Sequence, residues 1–175
     1  MPNCIYLPEG TFYSCPALKE VSIPNCTTIG PVAFWQCSSL SNLSMPNVVT
    51  IKNYAFNFCS NLKSIYGPNV TNMEPHAFGN CKSLTSVNFP KLSYIPSGAF
   101  DSDESLATIN FSDVTWIGSF AFTACRELSY VSFSKVTSIG SYAFGGCYKL
   151  ETVNLTGITS VPTLMSKDVF DYSPM

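Results

Sequence analysis

Residues 121–142 read A-F-T-A-C-R-E-L-S-Y-V-S-F-S-K-V-T-S-I-G-S-Y, and the stretch meets itself when moved by 22 positions along the chain. Phe12, Phe34, Phe56, Phe78, Phe100, Phe122 and Phe144 keep that spacing, and six residues after each stands Leu18, Leu40, Leu62, Leu84, Leu106, Leu128 or Leu150. Ala precedes the Phe at Ala33, Ala55, Ala77, Ala99, Ala121 and Ala143. Cys follows it by three at Cys15, Cys37, Cys59, Cys81, Cys125 and Cys147, and Asp103 alone breaks that row. Three aliphatic rows complete the unit. They are Val21, Leu43, Ile65, Val87, Ile109, Val131, Val153; then Cys26, Val48, Val70, Leu92, Val114, Val136, Ile158; then Ile29, Ile51, Met73, Ile95, Ile117, Ile139, Val161. The consensus is A-F-x-x-C-x-x-L-x-x-V-x-F-P-x-V-x-x-I-G-x-x.

A period this strict, without insertion over seven occurrences, requires equivalent residues to stack coil upon coil. One coil cannot fold alone. Its few apolar side chains contribute about 1.5 to 3 kcal/mol each on burial, whereas ordering each backbone residue costs about 1 to 2 kcal/mol. Neighbouring coils must therefore cover each other's faces and share backbone hydrogen bonds. Within a coil, L-x-x-V-x-F ends in alternation, so Leu128, Val131 and Phe133 are expected to point inward and Tyr130 and Ser132 outward, in a strand stacked in parallel with its neighbours. The Pro that follows in several coils ends the strand, because it has no ladder donor. Val136 to Gly140 is expected to form a second extended stretch opposite, and A-F-G-G-C a tight turn or short 3₁₀ piece. No segment has the length and period of a substantial helix.

The L-x-x-V-x-F-P segment, followed by V-T-x-I-G and A-F-x-x-C-x-x-L, resembles the BspA-like leucine-rich repeats over nearly the whole chain. The resemblance implies a curved, right-handed leucine-rich repeat solenoid, mainly parallel β with short 3₁₀ or turn segments and little or no α-helix. It also implies a concave sheet used for binding, at bacterial, phage or protozoan surfaces. One departure is visible. The position that usually carries a buried Asn holds Cys26, Val48, Val70, Leu92, Val114, Val136 or Ile158, so that edge is expected to close by apolar packing without an Asn ladder.

On the same ruler Met1 aligns with Ile23, and Cys4 with Cys26, so the chain divides into a half coil 1–11, seven repeats 12–165 and an irregular end 166–175. Phe170 lies 26 residues after Phe144, and D-V-F-D-Y-S-P-M echoes T-F-Y-S-C-P-A-L. The expectation is a single array cut from a longer one, whose open core edges favour self-association through uncapped ends.

Charged residues make up 11% of the chain, against roughly 25% in average proteins, and the basic ones are scattered. Nucleic acid, which needs a concentrated basic footprint, is not expected as a partner. No apolar run approaches the roughly 20 residues of a membrane span, and no leader pattern opens the chain. Stacked Cys side chains stand roughly 4.8 Å apart, whereas a disulfide needs Cβ atoms about 3.8 Å apart, so a column of buried free thiols is expected. Zinc spacing is absent, and no metal or cofactor is expected. The single histidine, His76, has only Glu74 nearby in sequence as an orienting carboxylate, which leaves no catalytic residues to name. The acidic run Asp101, Asp103, Glu104 lacks the ligand spacing of a calcium loop and is expected to be a solvated, irregular turn.

What remains is surface. The outward strand positions form the columns Glu20, Asn42, Ser64, Ser86, Thr108, Tyr130, Thr152 and Ser22, Ser44, Tyr66, Asn88, Asn110, Ser132, Asn154. Small hydrogen-bonding groups punctuated by Tyr suit adaptable recognition, and Glu20, Asn42, Tyr66, Asn88, Asn110, Tyr130 and Asn154 are the candidate binding residues of the concave face. The alternative is that they are merely soluble strand residues. Tyr94 and Trp116, one period apart, are expected to stack as a second aromatic patch or to cover the sheet edge. Function is expected to be non-enzymatic binding or adhesion to a protein or glycan on a host or neighbouring cell. A structural spacer that positions other domains is the alternative. An extracellular or cell-surface location fits the resemblance, and a cytoplasmic one stays open.

Overall fold

The structure, a computed structural model, describes residues 3–156 and 169–171. Positions Ile158 and Val161 of the aliphatic rows, the end of the seventh repeat at 165 and most of segment 166–175 lie outside the described residues. Among the described residues there are strands and turns and no helix. The chain winds as a parallel β solenoid of about seven turns. Each coil contributes a three-residue front strand, such as Ser86–Asn88 or Tyr130–Ser132, and a two-residue back strand, such as Thr28–Ile29 or Trp116–Ile117. All pairings are parallel, and each residue faces the one 22 positions on: Ser64 with Ser86, Val87 with Ile109, Ile29 with Ile51.

The A-F-x-x-C segment is a turn rather than a 3₁₀ helix. Each coil places two residues there in the left-handed region, four apart, as with Tyr54 and Phe58 or Phe120 and Ala124. Between them the Phe amide donates forward to the next coil: Phe34 N–H to Ala55 O at 2.8 Å, Phe122 N–H to Ala143 O at 2.7 Å. On the back edge the bonds run the other way, from Lys52 N–H to Ile29 O and Gly118 N–H to Ile95 O. Each coil is thus tied to both neighbours by main chain alone. Phe170 resumes the ladder after the undescribed stretch, because Phe144 N–H donates to Val169 O at 2.9 Å and its ring stacks on Phe170 at 5.8 Å.

The core is columnar. Phe34, Phe56 and Phe78 stack at 5.0 Å centroid spacing within a few degrees of parallel, and the series continues through Phe100, Phe122 and Phe144. The Leu row beneath the turn is buried from Leu40 to Leu150. A second ring column, Phe89, Phe111 and Phe133, starts where Gly67 leaves room, since a Cβ on Gly67 would lie 2.6 Å from the Phe89 ring. All eight cysteines are free. In the main row from Cys37 onward the thiol donates to the Phe carbonyl 25 residues back: Cys59 to Phe34 O, Cys81 to Phe56 O, Cys125 to Phe100 O, at 3.1 to 3.2 Å. A small apolar group with one weak donor fits a site walled by rings and offering one carbonyl.

Two expectations about the edges need adjustment. The row Cys26, Val48, Val70, Leu92, Val114 and Val136 is buried, so apolar packing does close that edge. A short Asn ladder nevertheless forms one position earlier, with Asn47 Nδ2 donating to Pro24 O at 2.7 Å and Asn69 Nδ2 to Pro46 O at 2.9 Å. Nor is either sheet continuous. The back sheet divides between Asn72–Met73 and Tyr94–Ile95. Pro96 stands where Lys52, Glu74 and Gly118 supply the back-edge amide, and it has no N–H to give. The Tyr94 hydroxyl instead reaches the stranded Met73 carbonyl at 2.9 Å.

The stacked ring column predicts that Phe122→Ala lowers unfolding free energy by about 3 to 5 kcal/mol, as for other buried Phe truncations. Chemical denaturation would measure it, and wild-type stability in the variant would refute a supporting role for the column.

Candidate functional site: the front strand face

The front strands alternate as the period-two pattern demands. Val87 and Val131 are buried, while Tyr66 is 61% and Tyr130 is 53% exposed. Glu20, Asn42, Asn110 and Asn154 are exposed as well. Asn88 differs, being half-buried between its register partners Tyr66 and Asn110, with a shielded and unpartnered Oδ1. The seven candidates are therefore carried on one face, although they do not converge on one point.

That face is broken twice. Asn42–Ser44 does not pair with Ser64–Tyr66, nor Thr108–Asn110 with Tyr130–Ser132. The bonds that Ile23 N–H makes to Ser44 O and Gly67 N–H to Asn88 O have no counterpart between Met45 and Tyr66. Three concavities crowd the first break. The largest, about 500 Å³, is lined by Glu20, Ser22, Asn42, Ser44 and Ser64 over the half-buried Val21 and Leu43. A second of about 420 Å³ lies between Lys19, Ser41 and Lys63, and a third of about 180 Å³ between Leu43, Pro46 and Tyr66. Tyr66 and Tyr130 each stand on the first strand after a break. The sequence signalled the side chains but not the gaps.

The second patch is corrected by the structure. Tyr94 and Trp116 are register partners, but no ring contact joins them among the described residues. The Tyr94 hydroxyl turns to Asn72 Oδ1 and the Met73 carbonyl, for the reason Pro96 supplies. Trp116, 40% exposed, stands without it. Aromatic clustering occurs instead on the turn edge, which sequence reading passed over. Tyr13 stacks on Trp35 at 4.8 Å, Phe58 meets Trp35 edge-on at 6.0 Å, and Phe120 stacks on Tyr142 at 5.3 Å.

These features define a parallel solenoid whose outward chemistry lies in columns along the stack. The BspA-type leucine-rich repeat region model matches residues 1–92 and 51–174 in six copies, and the chain belongs to that family. A leucine-rich cell surface protein of Faecalibacterium prausnitzii is similar at 31% identity and TM-score 0.81, over 91% of this chain and 45% of that one. A leucine-rich repeat protein of Eubacterium ventriosum is similar at 25% identity and TM-score 0.70, over 86% of this chain and 46% of that one. A T. pallidum leucine-rich repeat protein at 24% identity and TM-score 0.51 shares the fold. The chain spans less than half the length of the first two. No curated protein matches. The family and fold are those of repeat modules, and no helix among the described residues is long and apolar enough to cross a membrane.

The titratable groups are spread out along the stack. His76 Nδ1 lies 3.2 Å from Asp101 Oδ1, and its ring stacks on Tyr54 at 5.0 Å. Its carboxylate partner is thus Asp101 from the next coil and not Glu74, which instead binds Lys52 Nζ at 2.6 Å. Gly98 makes this possible, since a Cβ there would overlap the imidazole. The acidic run is neither solvated nor irregular throughout. Asp101 turns to His76, Glu104 holds Lys82 at 3.2 Å and Arg126 at 3.1 Å, and Asp103 is fully buried. Among the described residues no group of His, Cys, Asp or Glu is arranged to hold a metal. Asp103 is buried because it occupies the thiol position of the repeat, which faces the core in the coils on either side.

Asp103 Oδ1 accepts the Cys81 N–H at 2.7 Å, while Oδ2 is buried without a partner. Burial pushes its carboxyl well above the usual carboxylate range, opposed by the Cys81 amide and reinforced by the Asp101 charge. Desolvation pushes the Cys81 and Cys125 thiols on either side well above the usual thiol range, so neither carries charge at neutral pH. Protonated, the buried Oδ2 is a neutral donor; ionised, it would be part of an unpaired buried charge. With the folded-state pKa raised, the protonated acid's contribution to stability is complete below the unfolded value of about 3.9 and is lost as pH rises toward the folded one. Asp103→Cys, which restores the row, is therefore expected to raise the Tm at pH 8 while leaving it little changed at pH 4. A Tm difference between variant and wild type that stays constant across this range would contradict a buried neutral acid.

Proposed function

We propose that this chain is a non-enzymatic recognition module of a surface-exposed protein, binding a protein partner through its front strand face. The observation that carries the reading is the coincidence of the first break with the candidate residues: Glu20, Asn42 and Tyr66 surround concavities where paired strands would have left a flat sheet. The face extends from Glu20 to Asn154, about six coil rises or roughly 29 Å at 4.8 Å per coil. That breadth suits a protein surface better than a small ligand. Tyr66 and Tyr130 supply large amphipathic contacts, and the Ser and Asn between them supply adaptable hydrogen bonds. Location at a cell surface is supported by the Faecalibacterium prausnitzii cell surface protein, to which the chain is similar.

Binding to immobilised matrix proteins and to whole bacterial or epithelial cells tests this reading. Tyr66→Ala and Tyr130→Ala are expected to weaken binding about tenfold or more, as interface aromatics do, with the Tm almost unchanged because both side chains are mostly exposed. A folded chain that binds nothing in the panel would favour the spacer function, and binding indifferent to both substitutions would move recognition off this face.

A further inference from the structure

We propose that the turn edge carries a second binding site, built for an uncharged saccharide and centred on Phe58. A groove of about 450 Å³ runs across the first four coils there, with Gln36, Phe58 and Asn80 along one side and Ser38, Ser60 and Lys82 along the other. It is separate from the front face, because all six residues lie in turns and loops outside the strands.

Phe58 is the anomaly in this column. Its backbone is left-handed, with φ of 62°, a conformation unfavourable for a bulky residue. The equivalent positions hold Ser14, Gln36, Asn80, Ser102, Ala124 and Gly146, which suit such a turn better or place no ring in it. Burial gives little in return, since Phe58 remains 42% exposed. Its ring is held edge-on against Trp35 at 81°, and Trp35 in turn stacks on Tyr13, so the exposed ring is part of a three-ring shelf rather than a loose side chain. Phe58 thus presents a fixed, solvent-facing ring at a position where its equivalents in the other coils carry none.

The surroundings specify the ligand's chemistry. Gln36 and Asn80 sit one coil to either side of Phe58, roughly 4.8 Å away along the stack, and neither side-chain amide has a hydrogen-bond partner within the described residues. Ser38 and Ser60 add hydroxyls. A pyranose ring has an apolar C–H face that stacks on an aromatic ring and a rim of hydroxyls that both donate and accept, which planar amides match. Lys82 is the groove's charged lining residue, and its ammonium is held by Glu104, which also binds Arg126. With this single cation tied in an ion pair, the lining presents amides and hydroxyls rather than the cluster of cations that a sulfated or acidic sugar selects. An aromatic floor with a few polar groups converging on it is the usual make-up of a small-ligand site.

The chain has two tryptophans, so in a Trp116→Phe background the emission reports Trp35, in contact with Phe58. Titration with neutral cello-, chito-, malto- and laminari-oligosaccharides is expected to give a saturable shift for at least one series. Calorimetry with that sugar should then show Phe58→Ala weakened about fivefold or more, the scale of one aromatic stacking contact, Phe58→Tyr retaining affinity, and the Tm unchanged in both. The Tyr66→Ala, Tyr130→Ala double variant should bind the sugar as wild type does, which keeps this site distinguishable from the front face. The proposal is overturned if no series produces a shift by about 10 mM, well into the weak-binding range. Equal affinity in Phe58→Ala, or binding confined to heparin-derived oligosaccharides, would overturn it too.

Discussion

From Phe12 to Phe144 the chain returns to the same phase every 22 residues, because its main-chain bonds are made between coils. Phe34 to Ala55, Phe56 to Ala77 and Phe122 to Ala143 are the same bond repeated, as are Lys52 to Ile29 and Gly118 to Ile95. One residue inserted within a strand would turn that strand's core side chains toward solvent. The strict spacing follows from this, and so does the columnar chemistry. Once backbones are in register, like side chains lie one strand spacing apart, and rings stack, thiols meet carbonyls and opposite charges pair across coils, as Lys135 does with Asp113 and Lys149 with Glu127.

The architecture was legible because it depends on burial, and burial leaves a periodic trace in sequence. The Phe, Leu and aliphatic rows are the core, and the front strands fall where the alternation around Val87 and Val131 places them. The left-handed turns were less legible. Positive φ is ordinarily advertised by Gly or Asn, yet the first such position holds Gly only at Gly10 and Gly98 and otherwise Val32, Tyr54, His76, Phe120 and Tyr142. Inter-coil bonding imposes the conformation against local preference in most coils, so composition gives little warning. The break at Pro96 could have been found, since a proline in a row of amide donors must cost a bond. What could not be read was that Tyr94 would fill the vacancy and leave Trp116 without its expected neighbour. The front breaks have no such marker in the residues on either side.

Deviations from the repeat are where this molecule acquires individuality. Three substitutions in the rows are answered by a neighbour one coil away. Gly67 makes space for Phe89, Gly98 for His76, and Asp103 gives the Cys81 amide a second acceptor beside the Phe78 carbonyl. Each is local because coils interact mainly with adjacent coils. A solenoid can therefore accept an irregular side chain in one coil without disturbing those beyond its neighbours.

The same locality bears on how such a scaffold acquires binding surfaces. Inward rows are constrained by stacking, while the outward columns on the strand face and on the turn edge are free to vary coil by coil. Glu20, Asn42 and Ser64 differ in charge and size although their backbones are equivalent. On the turn edge, Gln36, Phe58 and Asn80 differ likewise. Within each run of paired coils a ligand would read the order of these side chains at the strand spacing, with the breaks in the front sheet setting the intervals between runs. Specificity on this scaffold thus resides in the sequence of residues along a column, and a single substitution can alter one contact while the register that holds the others stays in place.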